Sequence, residues 1–177
     1  MIAIRQVTLV DAKRFLEIYD YYVKNTAITF EYDTPSLAEF QSRMERTMKR
    51  YPYLVAMDGQ RVEGYAYAGI LKERAAYQYS CELSIYLDHN ARHKGMGRKL
   101  YETLTYQLEA MGIRNLYVCI AYPEKEDEYL TTNSVDFHAH LGFEKVGQFH
   151  RCGYKFGREY NIVWMEKRIG GSHVTEL

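Results

Sequence analysis

Two periods organise the apolar positions of this chain. An alternation of two over residues 2–7 predicts a short strand. Thr8 and Asp11 then stand at capping-box spacing, and Phe15, Ile18, Tyr19, Tyr22 and Val23 recur at helical spacing to about Asn25. Residues 26–33 lack a helical period and read as an ordered loop. Thr34-Pro35-Ser36, with Glu39 three beyond the serine, opens a second helix whose buried stripe is Leu37, Phe40, Met44 and Met48. Residues 53–57 and 62–70 are strands joined at Asp58-Gly59, the turn chemistry of a hairpin. A third strand is expected from about Tyr77 to Leu87.

Beyond a glycine turn, Leu100, Leu104, Leu108 and Met111 share one face of a helix that ends at Gly112. Leu116 to Ala121 reads as a strand, residues 122–132 as a charged loop, and Ser134 to Leu141 as a short helix stopped by Gly142. Final strands are expected over Phe143–Phe149 and Tyr160–Glu166, joined by a glycine-punctuated segment. This order predicts a mixed α/β sheet covered by helices. No repeat or interior linker divides the 177 residues, so one domain is expected over 1–168, with a polar tail at 169–177.

Composition narrows the function classes. Lys plus Arg equals Asp plus Glu at 23 each, so no global basic field points to nucleic acid, and any positive potential must be local. Hydrophobic residues make up 47%, enough for a real core, yet no long apolar run predicts a membrane span. Cys81, Cys119 and Cys152 form neither a close pair nor a CxxC, so neither a metal site nor a disulfide framework is expected, and a reducing cytoplasm is. Eighteen tyrosines read mainly as amphipathic residues at the core boundary, with a minority free to line a polar pocket.

The local positive potential sits at Arg92-His93-Lys94-Gly95-Met96-Gly97-Arg98. Two glycines two apart, inside a basic cluster at a helix start, let backbone N–H groups approach a pyrophosphate. Many ordinary helix starts contain a glycine turn. The preceding strand makes this one informative, because Glu82 lies in Cys81-Glu82-Leu83-Ser84-Ile85-Tyr86-Leu87.

The element order and Arg92-x-x-Gly95-x-Gly97 resemble the GNAT superfamily of acetyl-CoA-dependent N-acetyltransferases. Five ordered stretches narrow the resemblance to the phosphinothricin acetyltransferase group. They are Asn25-Thr26 with Phe30; Arg74 with Ala76-Tyr77; Glu82 with Ile85-Tyr86-Leu87; His138 with Leu141-Gly142-Phe143; and Gly153-Tyr154-Lys155-Phe156-Gly157. The resemblance implies a mostly antiparallel sheet with splayed central strands, flanked by about four helices. It also implies a homodimer, transfer of acetyl to the amine of a small amino acid or analogue, and no metal, nucleic-acid or membrane partner.

By the same resemblance, backbone groups of Ile85, Tyr86 and Leu87 hold the pantetheine arm of acetyl-CoA, and residues 92–98 hold its pyrophosphate. Glu82 takes the general-base role, with His138 as helper or second base, since an ammonium must lose a proton before it attacks a thioester. Phe30, Arg74 and Tyr77 fall to the substrate, and Lys155 and Arg158 to structure or surface. No nucleophilic cysteine is needed for direct attack in a ternary complex. One of the tyrosines is expected to protonate the thiolate, and the sequence does not say which.

Two departures bear on specificity. Thr131 stands where the superfamily commonly has an asparagine, and Asn133 follows two residues later. The loop 122–132 is longer than the group's usual connection and reads as a solvated lid or spacer. Alternatives to small-molecule transfer are acetylation of a protein or peptide amine, and a CoA-binding module without chemistry.

Overall fold

The computed structural model describes residues 2–91 and 95–170. Its strands are β1 (Ile2–Gln6), β2 (Tyr53–Asp58), β3 (Arg61–Ile70), β4 (Ser80–Leu87), β5 (Asn115–Tyr122), β6 (Glu144–Lys155) and β7 (Arg158–Arg168). Its helices are α1 (Ala12–Asn25), α2 (Leu37–Met48), α3 (Met96–Ala110) and α4 (Asn133–His140). The strands form one seven-stranded sheet in the order β1-β2-β3-β4-β5-β7-β6. Among the described residues every neighbouring pair is antiparallel except β4 with β5.

Alternation along the strands decides which helix covers which face. Tyr53, Val55 and Tyr65 pack beneath α1 and α2 with Phe15, Ile18, Phe40 and Met44. Their neighbours Leu54, Ala56, Ala66 and Ala68 point the other way, against Leu100, Leu104 and Leu108 of α3. Those three leucines are fully buried, and truncating one to alanine costs about 2–5 kcal/mol. On β4, Cys81 and Leu83 join the α3 face, so Glu82, Ser84 and Tyr86 fall on the α1–α2 side.

The predicted elements are present, with corrections at their ends. Thr8 and Asp11 do form the capping arrangement, the Asp11 carboxylate accepting the Thr8 N–H at 2.8 Å, and it caps a single 3-10 turn that leads into α1. The α2 stripe narrows to Phe40 and Met44, because Leu37 and Met48 at the helix ends are exposed. Met111 is exposed too, one turn past Leu108. Residues Ala75–Tyr77 form a 3-10 turn, and β4 begins at Ser80 rather than Tyr77.

The largest difference lies at the C-terminal hairpin. The glycine-punctuated segment is itself strand, and β6 and β7 continue to a two-residue turn at Phe156-Gly157. Both turn residues have positive φ, 53° and 73°, as a type I′ hairpin requires. Bulges hid this extension. Register shifts at Lys145/Gly147 and Phe149/Gly153, with Arg151 at φ 51°, break the alternation that marks a strand in sequence. The sheet ends at Arg168, and Ile169 is still buried against the core, its N–H donating to the Arg114 carbonyl at 2.8 Å. Most of the expected tail, 171–177, lies outside the described residues.

Candidate active site

The parallel pairing of β4 with β5 is short. It joins Ser80, Cys81 and Glu82 to Asn115, Leu116 and Tyr117, then stops. From there β5 stays paired with β7 to Tyr122, while β4 runs on beside β3 to Leu87. The edge of Leu83–Leu87 that faces β5 is left without a strand, so its backbone groups need other partners. Glu82 is the last rung of the ladder, at the apex of the split.

Two connected cavities fill the opening. The inner one, about 150 Å³, is a throat walled by Leu83, Ser84, Val118, Cys119, Tyr101 and His138. The outer one, about 650 Å³, is a groove that runs from Ile85, Tyr86 and Leu87 past Gly95–Arg98 to Asn133 and Phe137 of α4. Ile28, Ile85, Tyr86, Asn133 and Ser134 line both.

The groove floor follows from the glycine turn. Gly95 caps α3 at φ 69°, a left-handed conformation that side chains resist, and no side chain caps the helix. The first N–H groups of α3 therefore face the groove end unpaired by a cap. Gly97 has a steric role, since a Cβ there would lie 2.9 Å from the Phe137 ring and 3.6 Å from Ile85. Its absence lets α3 and α4 approach across the groove. Met96 is buried in the core, so its backbone rather than its side chain serves the groove, and exposed Arg98 lies 3.8 Å from Glu102. The expected contributions of Arg92, His93 and Lys94 lie outside the described residues. The Leu87 carbonyl is already taken, accepting the Tyr22 hydroxyl at 2.5 Å.

Glu82 is half-buried, and burial raises its carboxyl above the ordinary range, with Lys72 partly offsetting the shift. Cys119 lines the throat close enough to feel the Glu82 charge, and partial burial pushes its thiol up to about 11. Cys81 is driven up to about 12 by burial behind the strand. Both thiols stay protonated at neutral pH and are poor nucleophiles.

His138 is brought to the throat, but not as a free base. Its Nδ1 lies 2.6 Å from the Ser134 carbonyl, which can only accept, so Nδ1 carries the proton. Nε2 then accepts from the Tyr101 hydroxyl at 2.9 Å. Burial holds the imidazole down at about 4, so it is neutral near pH 7. The geometry thus changes the expected second base into a fixed acceptor behind Tyr101. Tyr101 sits a full 37 residues earlier, on the buried face of α3. No local signal in the sequence distinguishes it from the other tyrosines.

The rim beyond Glu82 is tied down. Phe30 occupies the space where a Gly153 side chain would be, its ring 2.2 Å from the ideal Cβ position. The Lys155 ammonium donates to the Thr29 carbonyl at 2.8 Å, and the Tyr32 hydroxyl donates to the Tyr154 carbonyl at 2.5 Å. The loop 122–132 is docked rather than a free lid. Asp127 accepts from Tyr160 at 2.8 Å, Arg158 pairs with Asp127 and Glu128, and the Ala27 N–H bonds to the Tyr129 carbonyl at 3.0 Å. Leu130 and Thr131 thereby reach the throat wall.

Arg74 and Tyr77 are not brought to the throat or the groove. They line a separate pocket of about 260 Å³ with Arg50, Ile70, Lys72 and Gln78. The 3-10 turn at Ala75–Tyr77 holds Tyr77 on that pocket, and Phe30, expected to share a substrate with them, is not among its walls.

The groove suits an extended anionic molecule with an amide-bearing arm. Its unpaired strand edge offers backbone hydrogen bonds, and a capless helix start offers N–H donors at the far end. No group of three or more metal-ligating side chains is found among the described residues, and no described helix is long and apolar enough to cross a membrane.

Comparison with known proteins agrees with this geometry. Residues 4–164 match the family described as acetyltransferase (GNAT) domain. The chain is 30% identical to the phosphinothricin N-acetyltransferase of Streptomyces viridochromogenes, over 94% of this chain and 87% of that protein. It is 32% identical to the L-methionine sulfoximine/L-methionine sulfone acetyltransferase of Pseudomonas aeruginosa, over 94% of each. A crystal structure of a phosphinothricin acetyltransferase from Sinorhizobium meliloti in complex with AcCoA superposes with a TM-score of 0.89, at 33% identity, covering 99% of this chain and 92% of that one. With its split sheet and glycine-turned helix, the chain belongs to the GNAT acetyltransferase family.

Proposed function

We propose that this protein transfers an acetyl group from acetyl-CoA to the α-amine of a small amino acid or analogue, by direct attack across the β4–β5 split. The observation that carries this reading is the end of the β4–β5 ladder at Glu82, whose charge is felt by Cys119 on the wall of the throat that opens there. Acetyl-CoA supplies the activated thioester. The free edge at Ile85 and Tyr86 holds its arm, and the α3 N-terminus with Gly95, Gly97 and Arg98 holds the phosphate end.

Glu82 accepts the proton that an incoming ammonium must lose, directly or through one water, and its raised pKa brings it closer to that task. Backbone N–H groups of the free β4 edge face the carbonyl oxygen as negative charge grows on it. We assign protonation of the departing thiolate to the Tyr101 hydroxyl, which lines the throat; its proton, donated to His138 Nε2 in the resting site, leaves that acceptor for the sulfur and is regained from water afterwards. From the pinned 26–33 loop Ile28 lines the throat, while Phe30 packs on Gly153. In the single chain, Arg74 and Tyr77 receive no part in this reading.

The test is thiol release from acetyl-CoA across amino acids, methionine sulfone, methionine sulfoximine and phosphinothricin. Amine-dependent release with at least one of them is expected. Silence with every amine, with acetyl-CoA binding intact, would refute transfer and leave a binding module.

A further inference from the structure

One wall of the long groove carries a charge of the wrong sign for an anionic ligand. Asp88, the first residue beyond β4, lines the groove beside Leu87, His89 and Ala91. A bare carboxylate there would repel the phosphates of a cofactor. This one is committed elsewhere. Asp88 is only 6% exposed, and its Oδ2 accepts from the Arg14 guanidinium of α1 and from Arg61 of β3, the latter at 3.3 Å. Its Oδ1 accepts the Asn90 N–H at 2.8 Å. Burial acts to raise the carboxyl, but the Asn90 N–H and the two arginines outweigh it and hold it below the ordinary range.

The same residue starts the turn that leaves the strand. Its N–H donates to the Glu63 carbonyl at 2.7 Å, and its carbonyl accepts the Ala91 N–H at 2.8 Å. The bond from Asn90 to Oδ1 adds an Asx turn inside that β-turn. One side chain therefore directs the chain as it leaves the free β4 edge, and two arginines direct that side chain. Neither Arg14 nor Arg61 is a wall of the groove. Arg14 is anchored to the Val62 carbonyl and to Glu17, each at 3.3 Å. Arg61 is shared with Glu63, whose Oε1 lies 3.2 Å from its Nε and whose Oε2 is buried without a partner. Helix α1 grips the same corner twice more, Tyr21 stacking on His89 at 3.7 Å and Tyr22 donating to the Leu87 carbonyl.

We propose that Asp88 is a positioning residue for the cofactor: held by Arg14 and Arg61, its carboxylate fixes the turn at 88–91 and thereby sets the affinity of the groove for acetyl-CoA. This rests on the groove being the acetyl-CoA site. Asp88 acts through backbone geometry, and α1, which carries Arg14, becomes part of the cofactor site without Arg14 touching the groove.

Charge and position predict opposite signs. Acting through charge alone, Asp88→Asn would remove a repulsion and tighten acetyl-CoA binding. As a positioning residue it loosens binding, because an amide oxygen still accepts the Asn90 N–H but does not hold two guanidiniums as a carboxylate does. The test measures KM and the calorimetric Kd for acetyl-CoA, with kcat and the amine KM, in wild type, Asp88→Asn, Asp88→Ala and Arg14→Gln. Acetyl-CoA is expected to weaken by about tenfold or more in Asp88→Ala and by less in the other two, with kcat and the amine KM nearly unchanged. Asp88→Asn and Arg14→Gln break a shared bond, so their losses are expected not to add in the double variant. Wild-type or tighter binding in Asp88→Asn, or additive losses in the double variant, would overturn the assignment and leave the groove to the cofactor. A wild type that does not bind acetyl-CoA would overturn the transfer reading and this proposal together. Should Asp88→Ala fail to fold, Asp88→Asn, Arg14→Gln and their double variant decide the matter by the same criteria.

Discussion

Glu82 is the last residue of β4 paired with β5, and the base role proposed for it rests on that position. A carboxyl raised by burial must still lose its proton to act, so the rate falls as pH drops through a value above the ordinary carboxylate range. Glu82→Gln is expected to lower kcat by about a hundredfold and to remove that acid limb from the pH–rate profile. An unchanged limb would take the role from Glu82. His138 makes a separate prediction about stability. Its imidazole is held down at about 4, whereas an unfolded histidine binds its proton near pH 6.5. As pH falls from about 6.5 toward 4, the unfolded chain takes up a proton that the native chain does not, so native stability declines, by up to about 3 kcal/mol from this group. Urea unfolding at pH 7 and pH 4.5 should show this loss in the wild type and a smaller one in His138→Gln, and equal losses would contradict the assignment. Family resemblance singled out Glu82 in the sequence, since a carboxylate on a strand before a glycine turn reads by itself as an ordinary surface group. Tyr101 was not, because its contact with His138 spans two helices and leaves no periodic trace.

At the scale of elements, close approach matters more than local propensity. Gly97 lets Phe137 of α4 sit against α3, and a methyl there would lie 2.9 Å from that ring. Gly97→Ala is therefore expected to push α4 outward and raise the KM for acetyl-CoA by about tenfold, with kcat much less affected. A normal KM would mean that the groove is not the cofactor's. The helices were legible because each carries a continuous apolar stripe, clearest at Leu100, Leu104 and Leu108. Strand ends were less so. Tyr77, Gln78 and Tyr79 look strand-like but form or follow a 3-10 turn, and the bulges of β6 erase the alternation that would have marked its full length. The 122–132 loop reads in sequence as a charge run suited to water. Asp127 and Glu128 in fact bind Arg158 and hold the loop against the hairpin, where Leu130 is buried.

For the molecule as a whole, strand order carries the function, and local pattern does not encode it. β5 keeps β7 on one edge as far as Tyr122, while its other edge parts from β4 after Glu82 and the throat opens between them. Sequence reached this arrangement through family resemblance rather than through periodicity. Arg74 and Tyr77 line a pocket of their own rather than the throat, which the motifs alone did not indicate. The same topology leaves the Cys119 thiol on the throat wall, where an acetylated cysteine would be the competing route, although the thiol stays protonated. Initial-rate kinetics, with acetyl-CoA and an accepted amine varied together, decides between the routes. Direct transfer across the split predicts intersecting double-reciprocal lines and no acetylated enzyme. Parallel lines, with acetyl recovered on Cys119, would contradict it.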